Sequence, residues 1–130
     1  MSVNARGKIK GEVKFEKILE YIRENFDKKS SGKLTVTTMY SNDGSSYESY
    51  GIVGYIFKGE SRTLYYSYDN AGYLPDSEEE EEKEVTNLTM KYDKDNVESI
   101  TRILMHFGGG WLDEDDSDDE DYRPVAPYAI

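Results

Sequence analysis

The chain has 130 residues, enough to bury one hydrophobic core and too few for two ordinary domains. Its 27 Asp and Glu against 16 Lys and Arg give a formal net charge of -11, so the molecule as a whole repels nucleic acid and anionic membranes, and direct binding to either is not expected. With no cysteine and one histidine, His106, disulfides, thiolate metal sites, Cys nucleophiles and most zinc or His-based acid/base designs are excluded; the composition favours a binding protein over an enzyme, with no metal and no cofactor.

The charge is concentrated in two short segments. Glu78 to Glu84 holds six Glu and one Lys, and Asp113 to Asp121 holds eight acids in nine positions. Together they amount to -13, which leaves the rest of the chain at +2. Acidity is therefore an addition to a nearly neutral core. No apolar run reaches the roughly 18 residues of a membrane span, and the basic start is followed by a charged amphipathic segment where a secretory signal would be apolar, so a cytoplasmic location is expected.

Residues 1–11 read as a basic N-terminal arm, and residues 12–111 as a single domain. From Glu12 to Phe26, Phe15, Ile18, Leu19, Ile22 and Phe26 recur at the spacing of one helical face, which predicts an amphipathic helix. Turn formers at residues 27–32 end it. Leu34, Val36, Thr38 and Tyr40 alternate with Thr35, Thr37 and Met39 as a strand, and Asn42-Asp43-Gly44 supplies a hairpin connection. Tyr47 to Phe57 returns as a second strand, with Tyr50, Ile52 and Ile56 on one face and Val53, Tyr55 and Phe57 on the other. Lys58-Gly59-Glu60-Ser61 turns into a third strand, Arg62 to Tyr68.

The acidic loop 76–84 leads to Val85–Tyr92, which alternates as a fourth, edge strand. Asp95 with Glu98 three residues on predicts a capping box for a second helix. Val97, Ile100, Ile103, Leu104 and Phe107 form its apolar stripe, and Gly108 to Gly110 stops it. The expected fold is a two-layer α+β domain: N-terminal helix, three- or four-stranded antiparallel sheet, C-terminal helix. Residues 112–130, with Pro124 and Pro127, are expected to trail as an acidic, extended C-terminal tail.

Several features could carry function. An extended chain advances about 3.3 Å per residue, close to the roughly 3.4 Å phosphate spacing along a DNA strand, so the acids from Asp113 to Asp121 suit a groove lined with Arg and Lys. Trp111 and Tyr122 flank them and add contact area. The Glu78–Glu82 run reads as a solvated loop, and the Asn42–Gly44 tip as a turn that can also reach into a partner. Twelve tyrosines exceed what two short helices can cover, so Tyr55, Tyr65 or Tyr73 should be exposed. Alternate acids in the tail fall short of a calcium loop, which needs Gly and Glu where Asp118 and Pro124 stand. Ser77 and Ser117 precede acids in the manner of acid-directed phosphorylation sites. His106 reads as a helix-surface residue, and no nucleophile-elbow or phosphate-loop motif occurs.

Ile103 to Phe107, Gly109-Gly110-Trp111, the acids Asp113 to Asp121 and Tyr122, together with Asn42-Asp43-Gly44 between the first two strands, resemble the small phage-encoded anti-CRISPR inhibitors of type II Cas9. The Glu78–Glu82 insertion and a fourth strand have no counterpart there. The resemblance implies a DNA mimic bound to Cas9 with its guide RNA. Asp113, Glu114, Asp115, Asp116, Asp118, Asp119, Glu120 and Asp121 would meet the arginines that read the PAM, and Asn42, Asp43 and Gly44 would make a second contact. Two other readings fit the same composition: an immunity protein that neutralises a nuclease toxin, and an adaptor that uses a Tyr-rich sheet while its acids confer solubility.

Overall fold

The computed structural model describes residues 4–26, 35–42, 47–75, 82–114 and 122–125. Two helices pack on one face of an antiparallel sheet whose spatial order is β2-β3-β4-β5-β1-β6-β7. In chain order the elements are β1 (Asn4–Lys10), α1 (Phe15–Asn25), β2 (Thr35–Asn42), β3 (Tyr47–Phe57), β4 (Glu60–Gly72), β5 (Lys83–Lys91), α2 (Lys94–His106), β6 (Gly110–Asp113) and β7 (Arg123–Val125). The fold is mixed α+β as expected, but among the described residues the sheet has seven strands where three or four were expected, and it dominates the architecture.

The largest correction lies at the start of the chain. The expected basic arm is an interior strand: β1 pairs with β5 along Asn4↔Lys91 to Lys10↔Val85 and with β6 on its other side. Ala5 and Ile9 point into the core, and Arg6, Lys8 and Lys10 lie on the opposite face. The intervening Gly7 is required by close packing, because a Cβ there would stand 2.8 Å from Ile100 Cγ2 of α2. Since β1 inserts beside β5, the Lys83–Lys91 strand is interior and not an edge.

The core forms between the helices and the inward row of each strand. Phe15, Ile18 and Ile22 of α1, Ile100, Ile103 and Leu104 of α2, and Val53, Tyr55, Phe57, Leu64, Tyr66, Leu88, Met90 and Leu112 of the sheet make one buried cluster. Helix α1 starts three residues later than Glu12, at Phe15, whose ring packs at a tilt against Tyr66 at 5.0 Å between centroids. Tyr55 corrects the expectation of exposure. It is 2% exposed, its hydroxyl shares a 2.6 Å hydrogen bond with Ser99 and approaches Met90 Sδ at 3.4 Å, and burial pushes its phenol up to about 12. Tyr65 and Tyr73 are exposed, as anticipated.

Helix α2 is capped by Asp93 and not by Asp95. The Asp93 carboxylate accepts from the Asp95 and Asn96 amides at 2.8 and 3.4 Å, and these bonds hold its carboxyl below the usual range. The same carboxylate oxygen takes Arg62 Nη1 at 3.0 Å. Arg62 is the one buried cation among the described residues, and it also donates to Phe57 O at 3.1 Å and Asn96 Oδ1 at 3.2 Å. A single guanidinium thus ties β4 to the start of α2.

Candidate functional site

Helix α2 ends where Gly108 and Gly109 take positive φ angles of 97° and 94°, and the Gly109 amide closes on Leu104 O at 2.7 Å. The chain then enters β6 beside β1. A side chain at Gly110 would collide with the Lys8 carbonyl, so glycine alone permits the approach. The register Arg6↔Asp113, Gly7↔Leu112 and Lys8↔Trp111 puts Leu112 in the core and Trp111 and Asp113 on the opposite face. Trp111 is half-buried and lines a pocket of about 250 Å³ with Ile9, Lys10 and Phe107.

Beyond residues 115–121 the chain returns as β7, with Leu112↔Arg123, Trp111↔Pro124 and Gly110↔Val125. Arg123 Nε donates to Glu114 Oε1 at 3.1 Å, and Lys8 Nζ lies 5.1 Å from the centre of the Tyr122 ring. The segment from residue 112, expected to be a free tail, thus contributes to β6 and supplies β7, both strands of the sheet. Asp113 is 2% exposed, opposite Arg6, so it is an element of the fold and not a solvent-facing acid. Glu114 is held in an ion pair by Arg123.

Of the residues expected to form one contact surface, Trp111, Asp113, Glu114 and Tyr122 gather at the β6–β7 edge. Asn42 ends β2, at the other edge of the sheet. Five inter-strand steps separate β2 from β6, about 24 Å at roughly 4.8 Å each. The two connections also leave opposite ends of the strands. The Asn42 end continues through Glu48↔Asp69 and Asp69↔Val85 to Lys10, whereas β6 runs out beside Arg6. Asn42 and the Asp113 end of β6 thus stand at diagonal corners of the sheet. Asp43, Gly44, Asp115, Asp116, Asp118, Asp119, Glu120 and Asp121 lie outside the described residues, as do Glu78–Glu81 and the tail beyond Val125.

The helix-free face of the sheet is a second candidate that sequence reasoning touched only through its tyrosines. Cross-strand partners make a transverse row of Ile52, Tyr65, Thr89 and Arg6. Tyr65 is 52% exposed, beside a shallow depression lined by Tyr50, Ile52, Ser67 and Thr89. Its signal was the period-two alternation of β3 and β4. Arg6 and Lys8 form the basic side of this face, which the composition of residues 4–10 does not reveal because it resembles an arm.

His106 is exposed, and its ring packs at a tilt on Tyr21 at 4.4 Å and meets Phe107 edge-on at 4.7 Å. Among the described residues, no group of three or more His, Asp or Glu could hold a metal ion, and no helix is long and apolar enough to cross a membrane. Comparison with protein-family models, with curated proteins and with solved structures finds no match.

Proposed function

We propose that this protein is a non-enzymatic inhibitor. It presents the acidic connection between β6 and β7 to the nucleic-acid-binding groove of a basic partner protein and excludes DNA by competition. The observation that supports this reading is the anchoring of that connection. Leu112↔Arg123 pairing and the 3.1 Å Arg123–Glu114 bond join the two chain ends at adjacent strands, and six of the seven residues between Glu114 and Tyr122 are acidic. Fixing both ends removes chain freedom before binding, so less entropy is lost on docking than for a free tail. Asn42, at the far edge of the sheet, is left out of this contact.

The resemblance at Phe107 to Tyr122 makes guide-loaded Cas9 the first partner to test and its PAM-reading arginines the docking point. A nuclease toxin is the second partner to test. The decisive variant replaces Asp115, Asp116, Asp118 and Asp119 by Asn in the full chain. It should fold as the parent by circular dichroism and lose binding, and the parent's affinity should fall as salt rises. Undiminished, salt-independent binding by the variant refutes the reading.

The exposed Tyr65 row favours a second reading, an adaptor that binds through the open sheet face. Tyr65→Ser would then abolish binding while the four Asn substitutions would not.

A further inference from the structure

The two edges of the sheet are built differently. β7 is three residues long and contains Pro124 and Arg123, devices that stop another strand from pairing. β2 is eight residues long and pairs on one side with β3 over its whole length, from Thr35↔Gly54 to Asn42↔Tyr47. Among the described residues nothing pairs with its other side. Its sequence, Thr-Val-Thr-Thr-Met-Tyr-Ser-Asn, has no charge, no proline and no glycine, in a chain of which 33% is charged. Charged residues, proline and short length are the usual protections of an edge, and β2 has none of them.

From this contrast we propose that β2 is a self-association edge: two copies of the chain pair antiparallel through β2 and join their sheets. A second copy is the occupant for reasons of charge and closure. Each chain carries -11, so two copies approach most readily where neither presents acid, and among the described strands β2 alone has no charged residue. Among the described residues each copy has one unprotected edge, so the pairing closes at two copies and does not propagate into a fibre.

The geometry restricts the register. Residues directly opposite one another in a sheet share a face, so a two-fold axis that keeps both helix layers on one side must pass through a residue. For best overlap that residue is Thr38 or Met39. At such an axis the two equivalent Cα atoms stand about 4.5–5.5 Å apart, within the span of a disulfide. The chain has no cysteine, so one introduced thiol reports on its own counterpart alone.

Light scattering on the full chain from about 1 to about 100 μM should show mass rising toward twice 15.0 kDa, since self-association follows mass action. The dimer should strengthen as salt screens the like charges, opposite in sign to the salt response of partner binding through the acidic connection. Under mild oxidation Thr38→Cys or Met39→Cys should cross-link nearly completely, and Ser61→Cys on β4 should not. Proline at Thr37 and at Thr38 completes the test. Successive residues turn their N–H groups to opposite sides, so one of the two keeps its bonds to β3, folds, and remains monomeric. A single 15.0 kDa species at every concentration, no cross-link in either cysteine variant, or a dimer that persists in the folded proline variant overturns the proposal.

Discussion

Truncating Arg62 to alanine should cost about 3 kcal/mol of folding stability. Its side chain is 4% exposed and its donors are spent on Phe57 O at 3.1 Å, Asn96 Oδ1 at 3.2 Å, Asp93 Oδ1 at 3.0 Å and Asp95 Oδ2 at 3.5 Å. In Arg62→Ala the two neutral acceptors lose a buried donor, about 1 kcal/mol each. The two missing methylenes leave unfilled volume worth about 1.5 kcal/mol. The carboxylates are 46% and 37% exposed, regain water and add little. Arg62→Met keeps the stem and should cost about 2 kcal/mol. Thermal melts should place Arg62→Ala about 10 °C below the parent and Arg62→Met between them, with the urea m-value unchanged. A melting point for Arg62→Ala within about 2 °C of the parent would show that the guanidinium does not join β4 to α2.

Tyr55→Phe should lower stability by about 1–2 kcal/mol, because Ser99, fully buried, loses its 2.6 Å partner; urea titration reads it. Burial raises the folded-state pKa of Tyr55 from 10.0 to about 12, so its contribution is complete below pH 10 and is lost as pH climbs toward 12. Alkaline unfolding followed by near-UV circular dichroism should begin in that window and be delayed in Tyr55→Phe relative to its own neutral-pH stability. Asp93 and Glu98 are held below their ordinary values, Asp93 chiefly by the Asp95 amide and Glu98 chiefly by Lys58. Their contribution is therefore present above the carboxylate range and lost as pH falls through it, so acid melts of Asp93→Asn should be flatter than those of the parent. Gly51→Ala should destabilise by about 1–3 kcal/mol in a urea titration, since the new Cβ would lie 2.5 Å from Phe15 Cζ.

What was legible in the sequence was local. The apolar faces of both helices, the alternation of β3, and the turns at Gly59 and Gly108 follow from spacing and glycine placement, and the structure has them. What was not legible depends on partners far away in the chain. Ala5, Gly7 and Ile9 alternate with the basic residues Arg6, Lys8 and Lys10. The segment reads as an arm because Ala5 and Gly7 carry little hydrophobic signal, yet Ala5 is buried in the core and Gly7 is small because α2 packs directly on it. β6 and β7 are too short to show a period, and β6 exists because Gly110 can approach Lys8, about a hundred residues earlier. Asp95 and Asp93 are equally good caps locally; the structure seats Asp93, which also takes Arg62. Nothing near Tyr55 in the chain shows that it, unlike Tyr65 and Tyr73, is buried with its hydroxyl on Ser99.

For the candidate site the division is the same. Trp111, the acids and Tyr122 stood out by composition. Their separation from Asn42 could not be seen until β1 was placed between β5 and β6, which moves the two connections to opposite edges. The internal position of Asp113 follows from the same insertion, since β1 supplies Arg6 across from it.

The most direct measurement is a displacement titration: labelled PAM-containing duplex is bound to guide-loaded Cas9, and the full chain or its Asp115, Asp116, Asp118 and Asp119 to Asn variant is added at several salt concentrations. The acidic-connection account predicts that the parent chain releases the duplex, less effectively as salt rises, and that the folded variant does not. Duplex that stays bound at saturating parent protein, or equal release by the variant, would contradict it.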